Sequence, residues 1–158
     1  MSTETITSYY EKDHDRLDSF FKQFQALKNS NFDQAKANFK EFITGLKRHI
    51  IWEEEILFPF FEEKAGMKDS GPTVVMRTEH RQIHEALEAI HDKIRNRRTD
   101  SDPEEARLLA ILSAHNLKEE SILYPMIDKA ATDQERVEIF KKMEEIPLNT
   151  GTCCGGHH

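Results

Sequence analysis

The residues of this chain best suited to chemistry are histidines and glutamates placed at metal-binding intervals. His49 and Glu53, His115 and Glu119, and His80 and His84 each stand four residues apart. On a helix, with about 1.5 Å of rise and about 100° of turn per residue, such pairs leave one face roughly one turn apart. Each pair can therefore serve one small volume. A shift of 66 residues lays His14 on His80, His49 on His115, Glu53 on Glu119, Glu54 on Glu120, Ile56-Leu57 on Ile122-Leu123 and Pro59 on Pro125. Within each half the histidines are 35 residues apart, 14 to 49 and 80 to 115. Potential ligands and their flanks repeat, whereas the exposed positions differ.

Apolar neighbours put these donors on core-facing stripes: Leu17 and Phe21 follow His14, Ile50 and Leu57 accompany His49 and Glu53, and Ile111 and Leu112 precede His115. Buried imidazoles and carboxylates without partners cost several kcal/mol each. A metal ion removes that cost by ligating neutral imidazole and ionised carboxylate. His14, His49, Glu53, His80, His84, His115 and Glu119 are too many for one tetrahedral zinc. They suit two ions bridged by carboxylates, about 3.5–4 Å apart. Mixed nitrogen and oxygen ligation with open positions favours iron, with manganese second.

His84 is the irregular member, because its counterpart under the shift is Asp18; an outer hydrogen-bonding role or simple burial stays open for it. His91, seven residues further on, reads as a rim residue. Tyr10, Trp52, Phe58 and Tyr124 read as core packing, and Glu54, Glu55 and Glu120 as solvated residues or outer hydrogen-bond partners.

The elements that must position these groups are helices. Segments with helical apolar spacing run from about Thr7 to Lys28, Phe32 to Ala65, Pro72 to Arg98 and Asp102 to Ala130, with a short one from Asp133 to Glu145. Gly66 suits a C-terminal cap, and Pro72 and Pro103 suit first turns. Pro59 and Pro125 fall inside helices two and four, where bends are expected without termination. Short connections make neighbouring helices antiparallel. The expected fold is all-α: an up-down-up-down antiparallel four-helix bundle over residues 1–146 with a short C-terminal helix, then a flexible Cys/His tail over 147–158.

The 158 residues carry a formal net charge of −7, which argues against nucleic-acid or anionic-membrane partners. No run of 18 apolar residues and no export signal in Met1–Tyr10 is visible, so the cytoplasm is the expected compartment. Cys153 and Cys154 are adjacent and staple no loop. With His157 and His158 they could bind soft metals or react with oxidants, but they read as part of a loose end.

The pattern of His14 within Asp13-His14-Asp15, His49-Ile50-Ile51-Trp52-Glu53, His80 with His84, and His115-Asn116-Leu117-Lys118-Glu119 resembles the hemerythrin-like, or HHE cation-binding, family. So do the flanks Glu54-Glu55-Ile56-Leu57-Phe58-Pro59 and Glu120-Ser121-Ile122-Leu123-Tyr124-Pro125; the likeness covers about residues 7–130. The resemblance implies an oxo- or hydroxo-bridged non-heme di-iron site. It assigns His80, His84 and His115 to one iron, His14 and His49 to the other, and Glu53 with a second acid as bridges. Dioxygen, or another small diatomic or peroxide ligand, is the implied partner. One departure concerns the second acid: oxygen carriers of the family usually place aspartate five residues after the last histidine, whereas here Glu119 stands at four and Glu120 at five. The repeat favours Glu119. That His-x-x-x-Glu pattern looks more like HHE proteins of iron or nitric-oxide stress, including a group that repairs iron–sulfur clusters.

Overall fold

In the computed structural model, which describes residues 4–146, α1 (Ile6–Leu27) and α2 (Phe32–Trp52) form one antiparallel hairpin and α4 (Pro72–Arg95) and α5 (Asp102–Lys118) another. Helix α2 continues through a π-helical turn (Glu53–Leu57) into α3 (Phe58–Ala65), and α5 through a second π turn (Glu119–Leu123) into α6 (Tyr124–Ala130). The final helix, α7 (Asp133–Glu144), opens on a capping box built by Thr132 and Glu135 and packs against the first π turn. No strand occurs among the described residues, and the expected all-α bundle is what forms. Cys153, Cys154, His157 and His158 lie outside the described residues.

The two inner prolines do not simply bend their helices. Each is preceded by a π turn whose closing bonds run from Phe58 N–H to the Glu53 carbonyl and from Tyr124 N–H to the Glu119 carbonyl. A proline ring inside an α-helix loses a donor and crowds the carbonyl four residues back. Widening the ladder by one residue just upstream relieves both problems. The widening also changes which residues share a face: five residues apart is about 140° round an α-helix but well under that in a π turn. Tyr124 is thereby brought towards the face of Glu119.

Apolar packing is split into two cores. One contains Leu17, Phe21, Phe42, Leu46, Ile83, Leu87, Ile90 and Leu112; the other contains Ile6, Tyr10, Trp52, Leu57, Phe58, Met76, Leu123 and Ile139. On every long helix the histidine or glutamate donors fall between the two, as Tyr10-His14-Leu17 does on α1 and Met76-His80-Ile83 on α4. Helix α7 closes the second core, where Trp52 Nε1 donates to the Met143 carbonyl at 3.2 Å.

The far end of the bundle is locked by a buried ion pair. Lys28 Nζ, 4% exposed, donates to Glu105 Oε2 at 2.6 Å, and Ser101 Oγ donates to the same oxygen at 2.5 Å while Gln25 serves Oε1 at 3.0 Å. Ser101, the residue that precedes α5, has its hydroxyl committed to Glu105 and makes no capping bond of its own. Lys28→Ala would leave the buried Glu105 carboxylate without its counter-charge, so unfolding in urea should show a loss of about 3–5 kcal/mol. Metal content should not change, since this end is some 20 Å along α1 from His14.

Candidate metal centre

Six of the seven donors expected from the sequence converge in the layer between the cores. Glu53, His80, His115 and Glu119 bring ligand atoms within 4.8 Å of one another, and so do His14, His49 and Glu119. All six residues are buried, both glutamates completely. The carboxylates span the two histidine pairs. Glu53 turns Oε2 to His49 Nε2 at 3.3 Å and Oε1 to His80 Nε2 at 3.0 Å. Glu119 turns Oε1 to His14 Nε2 at 3.3 Å and Oε2 to His115 Nε2 at 3.1 Å. Each hairpin thus keeps one carboxylate beside its own histidine and offers the second oxygen to the other hairpin.

Four further acids fix the imidazoles from behind. His14 Nδ1 meets Glu120 at 2.7 Å, His49 Nδ1 meets Asp13 at 2.8 Å, His80 Nδ1 meets Glu54 at 2.7 Å and His115 Nδ1 meets Glu79 at 2.8 Å. A carboxylate only accepts, so the ring proton sits on Nδ1 and each Nε2 faces the centre. Asp13 is held in turn by Arg16, and Glu79 by Lys118. Glu54 and Glu120 are thereby hydrogen-bond partners of the donors. Asp13 and Glu79 went unassigned in the sequence, although they match under the 66-residue shift and each precedes a donor histidine.

The electrostatics of this layer are strong. Burial disfavours the His49 imidazolium, but the charge of Glu53 and the hydrogen bond to Asp13 overcome it and push the group up to about 10. For His80 the same competition, won by Glu53 and Glu54, ends at about 9, and His115 is raised by Glu119 against its burial. Glu53 is driven well below the ordinary range: burial opposes this, and His49 and His80 prevail. Asp13 likewise falls to about 2, against its burial, through its bond to His49.

His84 stands apart from both donor sets. It is half-buried on α4, and burial together with the charge of Lys47 lowers its basicity. His91 lies still further along, beside Phe39 and Glu88. Tyr124, by contrast, is more than packing. Its hydroxyl lies 2.5 Å from Glu53 Oε2 and 2.7 Å from Glu119 Oε1. The side chain is fully buried, and the phenol is pushed well up by that burial and by both carboxylates. Phe58, its counterpart in the first half, stacks on His80 at 5.7 Å.

Fold and site together define a helical bundle with histidine–carboxylate clusters, of a kind that could hold a metal ion, between its two hairpins. The chain belongs to the hemerythrin HHE cation-binding domain family, whose profile matches residues 5–127. It is 27% identical over 134 residues to an uncharacterised hemerythrin-like protein of Schizosaccharomyces pombe, covering 84% of this chain and 64% of that protein. It is also 29% identical over 91 residues to the iron-sulfur cluster repair protein YtfE of Enterobacter sp., covering 54% of this chain and 41% of that one. A YtfE of Yersinia pseudotuberculosis is 33% identical over 60 residues, or 38% of this chain and 27% of its own length. The chain thus spans less than two thirds of the length of these curated relatives. No solved structure matches it.

The donors fit the cation that the family implies. Glu53 Oε1, His80 Nε2 and Glu119 Oε2 are buried without a hydrogen-bond partner, although Glu53 Oε1 and His80 Nε2 are only 3.0 Å apart. Such atoms are close in distance but aimed past one another, as ligands directed at a common point are. Adjacent ligands on one ion with bonds near 2.1 Å stand about 3 Å apart.

Two outcomes follow. In the metal-free chain the raised histidines stabilise the fold fully below their ordinary value of 6.5, and that stability drains away as pH rises through about 9 to 10. Asp13 acts oppositely, its contribution being lost as pH falls from 3.8 towards about 2. The melting temperature without metal should therefore be highest between these ranges and drop on the alkaline side. Bound metal should remove the alkaline drop, because it replaces the protons. Secondly, Glu79→Gln should weaken metal retention about 10–100-fold in chelator competition, since it frees the His115 ring while leaving every donor in place.

Proposed function

We propose that this chain is a non-heme di-iron protein that binds dioxygen or a similarly small diatomic or peroxide ligand. The observation that carries the reading is the pair of buried carboxylates, each presenting its two oxygens to different histidine pairs. Two hard ions, each with two imidazoles and sharing both carboxylates, satisfy that arrangement. His14, His49, Glu53 and Glu119 would hold one ion; His80, His115, Glu53 and Glu119 the other. The chemistry that iron would supply there, when bound, is reversible electron exchange with a small ligand.

The protein's own part is positioning and exclusion. The four acid–histidine bonds keep every Nε2 pointed inward. The apolar cores on both sides keep bulk water from the layer. In the metal-free layer the Tyr124 hydroxyl stands between the Glu53 and Glu119 carboxylates and ties the two together. A cavity of about 280 Å³, with Leu17, Phe21 and Leu112 on its apolar side and Asp18, Ser113 and Asn116 on its polar side, reaches the layer at His14 and Glu120, giving a small ligand a way in.

A second reading, an iron-dependent role in stress such as iron–sulfur cluster repair, is supported by two relatives named for that repair and by His84 standing outside the donor sets. Anaerobic titration separates the two. Purified protein should carry two irons per chain, and aeration should produce a visible charge-transfer band that fades again on deoxygenation. Bleaching that does not reverse, together with turnover of nitric oxide or peroxide lost in His49→Ala, would select the stress role.

A further inference from the structure

The two ion positions are not equivalent, and the sequence repeat locates the difference in one residue. Around the Tyr124 oxygen stand Glu53 Oε2 at 2.5 Å, Glu119 Oε1 at 2.7 Å, His49 Nε2 at 3.3 Å and His14 Nε2 at 3.4 Å. These four are the donors proposed above for a single ion, and the phenolic oxygen keeps from each roughly the spacing of neighbouring ligands. A hydroxyl has one proton. With both imidazoles neutral, as metal ligation requires, their ring protons sit on the far nitrogen and four electron-rich atoms face that one proton. A cation at this point satisfies all of them and the phenolic oxygen too. At the other position Phe58 occupies the matching place, lying against His80 with its ring at 12° and offering no oxygen.

We propose that Tyr124 is itself a metal-holding residue: its oxygen is a fifth protein donor to the ion of His14 and His49, while the ion of His80 and His115 keeps four. The inference rests on the metal-centre reading and adds to it an unequal pair of sites. Binding displaces the phenolic proton to solvent, as metal binding to protonated ligands does, and tyrosine oxygen is an established iron ligand elsewhere. The π turn makes this reach available by rotating residue 124 towards the face of Glu119, whose Oε1 its hydroxyl meets at 2.7 Å.

The test uses wild type, Tyr124→Phe and Phe58→Tyr, stripped of metal and titrated anaerobically with ferrous iron by calorimetry, then oxidised for visible spectroscopy. Wild type should take up two irons in unequal phases and, once ferric, show tyrosinate-to-iron charge transfer. Tyr124→Phe should weaken the tighter phase about 10–100-fold and lose that absorption. Phe58→Tyr should tighten the weaker phase and intensify it. The reciprocal variant decides the matter alone if Tyr124→Phe does not fold by circular dichroism. Two irons bound with isotherm and spectrum unchanged in Tyr124→Phe, or a Phe58→Tyr chain like wild type, overturns this inference and leaves the metal centre standing. A wild-type chain that takes up no iron overturns both.

Discussion

Everything in this bundle is arranged around six polar side chains that have been taken out of water. Two carboxylates and four imidazoles occupy a layer with apolar packing above and below, where leaving any one of them unmatched costs several kcal/mol. Protons can do part of the matching, which is why the imidazoles are so basic in the metal-free chain. Cations do it more completely. The outer ring of Asp13, Glu54, Glu79 and Glu120 follows from the same demand, since an imidazole that must present one nitrogen inward needs a fixed acceptor for the other.

The internal duplication shows how the demand is met twice and then bent. Donors, their carboxylate supports, the prolines and the π turns all recur at the same offset. Some positions near the layer break the pattern. Tyr124 against Phe58 adds an oxygen on one side, and His84 against Asp18 places a half-buried imidazole on the other. Lys47, standing where the second half has Ser113, is buried beside His84 and keeps that side occupied, whereas Ser113 and Asp18 line the cavity.

Much of this was legible in the sequence because it is periodic. Helical spacing, a cap at Gly66, a first-turn proline at Pro72, and the four-residue ligand intervals are local rules, and they led to the helices and to six converging side chains. Glu119 rather than Glu120 faces the centre, as the repeat suggested. What stayed hidden was non-local or one residue fine. A helix continuing past proline looks the same whether it bends or widens, so the π turns and the placement of Tyr124 were unreadable. Asp13 and Glu79 bond to histidines 36 residues away on a facing helix, a pairing that only the matched repeat positions could have signalled. His84 shares a helix face with His80, yet it stands a full turn along α4, outside the layer.

The way the carboxylates are shared has a mechanical consequence. Helices pack most extensively inside each hairpin, and the hairpins meet along a thinner seam. Glu53 and Glu119 each reach across that seam, so a metal seated there would act as a clasp between the halves. Its loss would slacken the joint before it unravelled either half, coupling metal supply to the stiffness of the bundle.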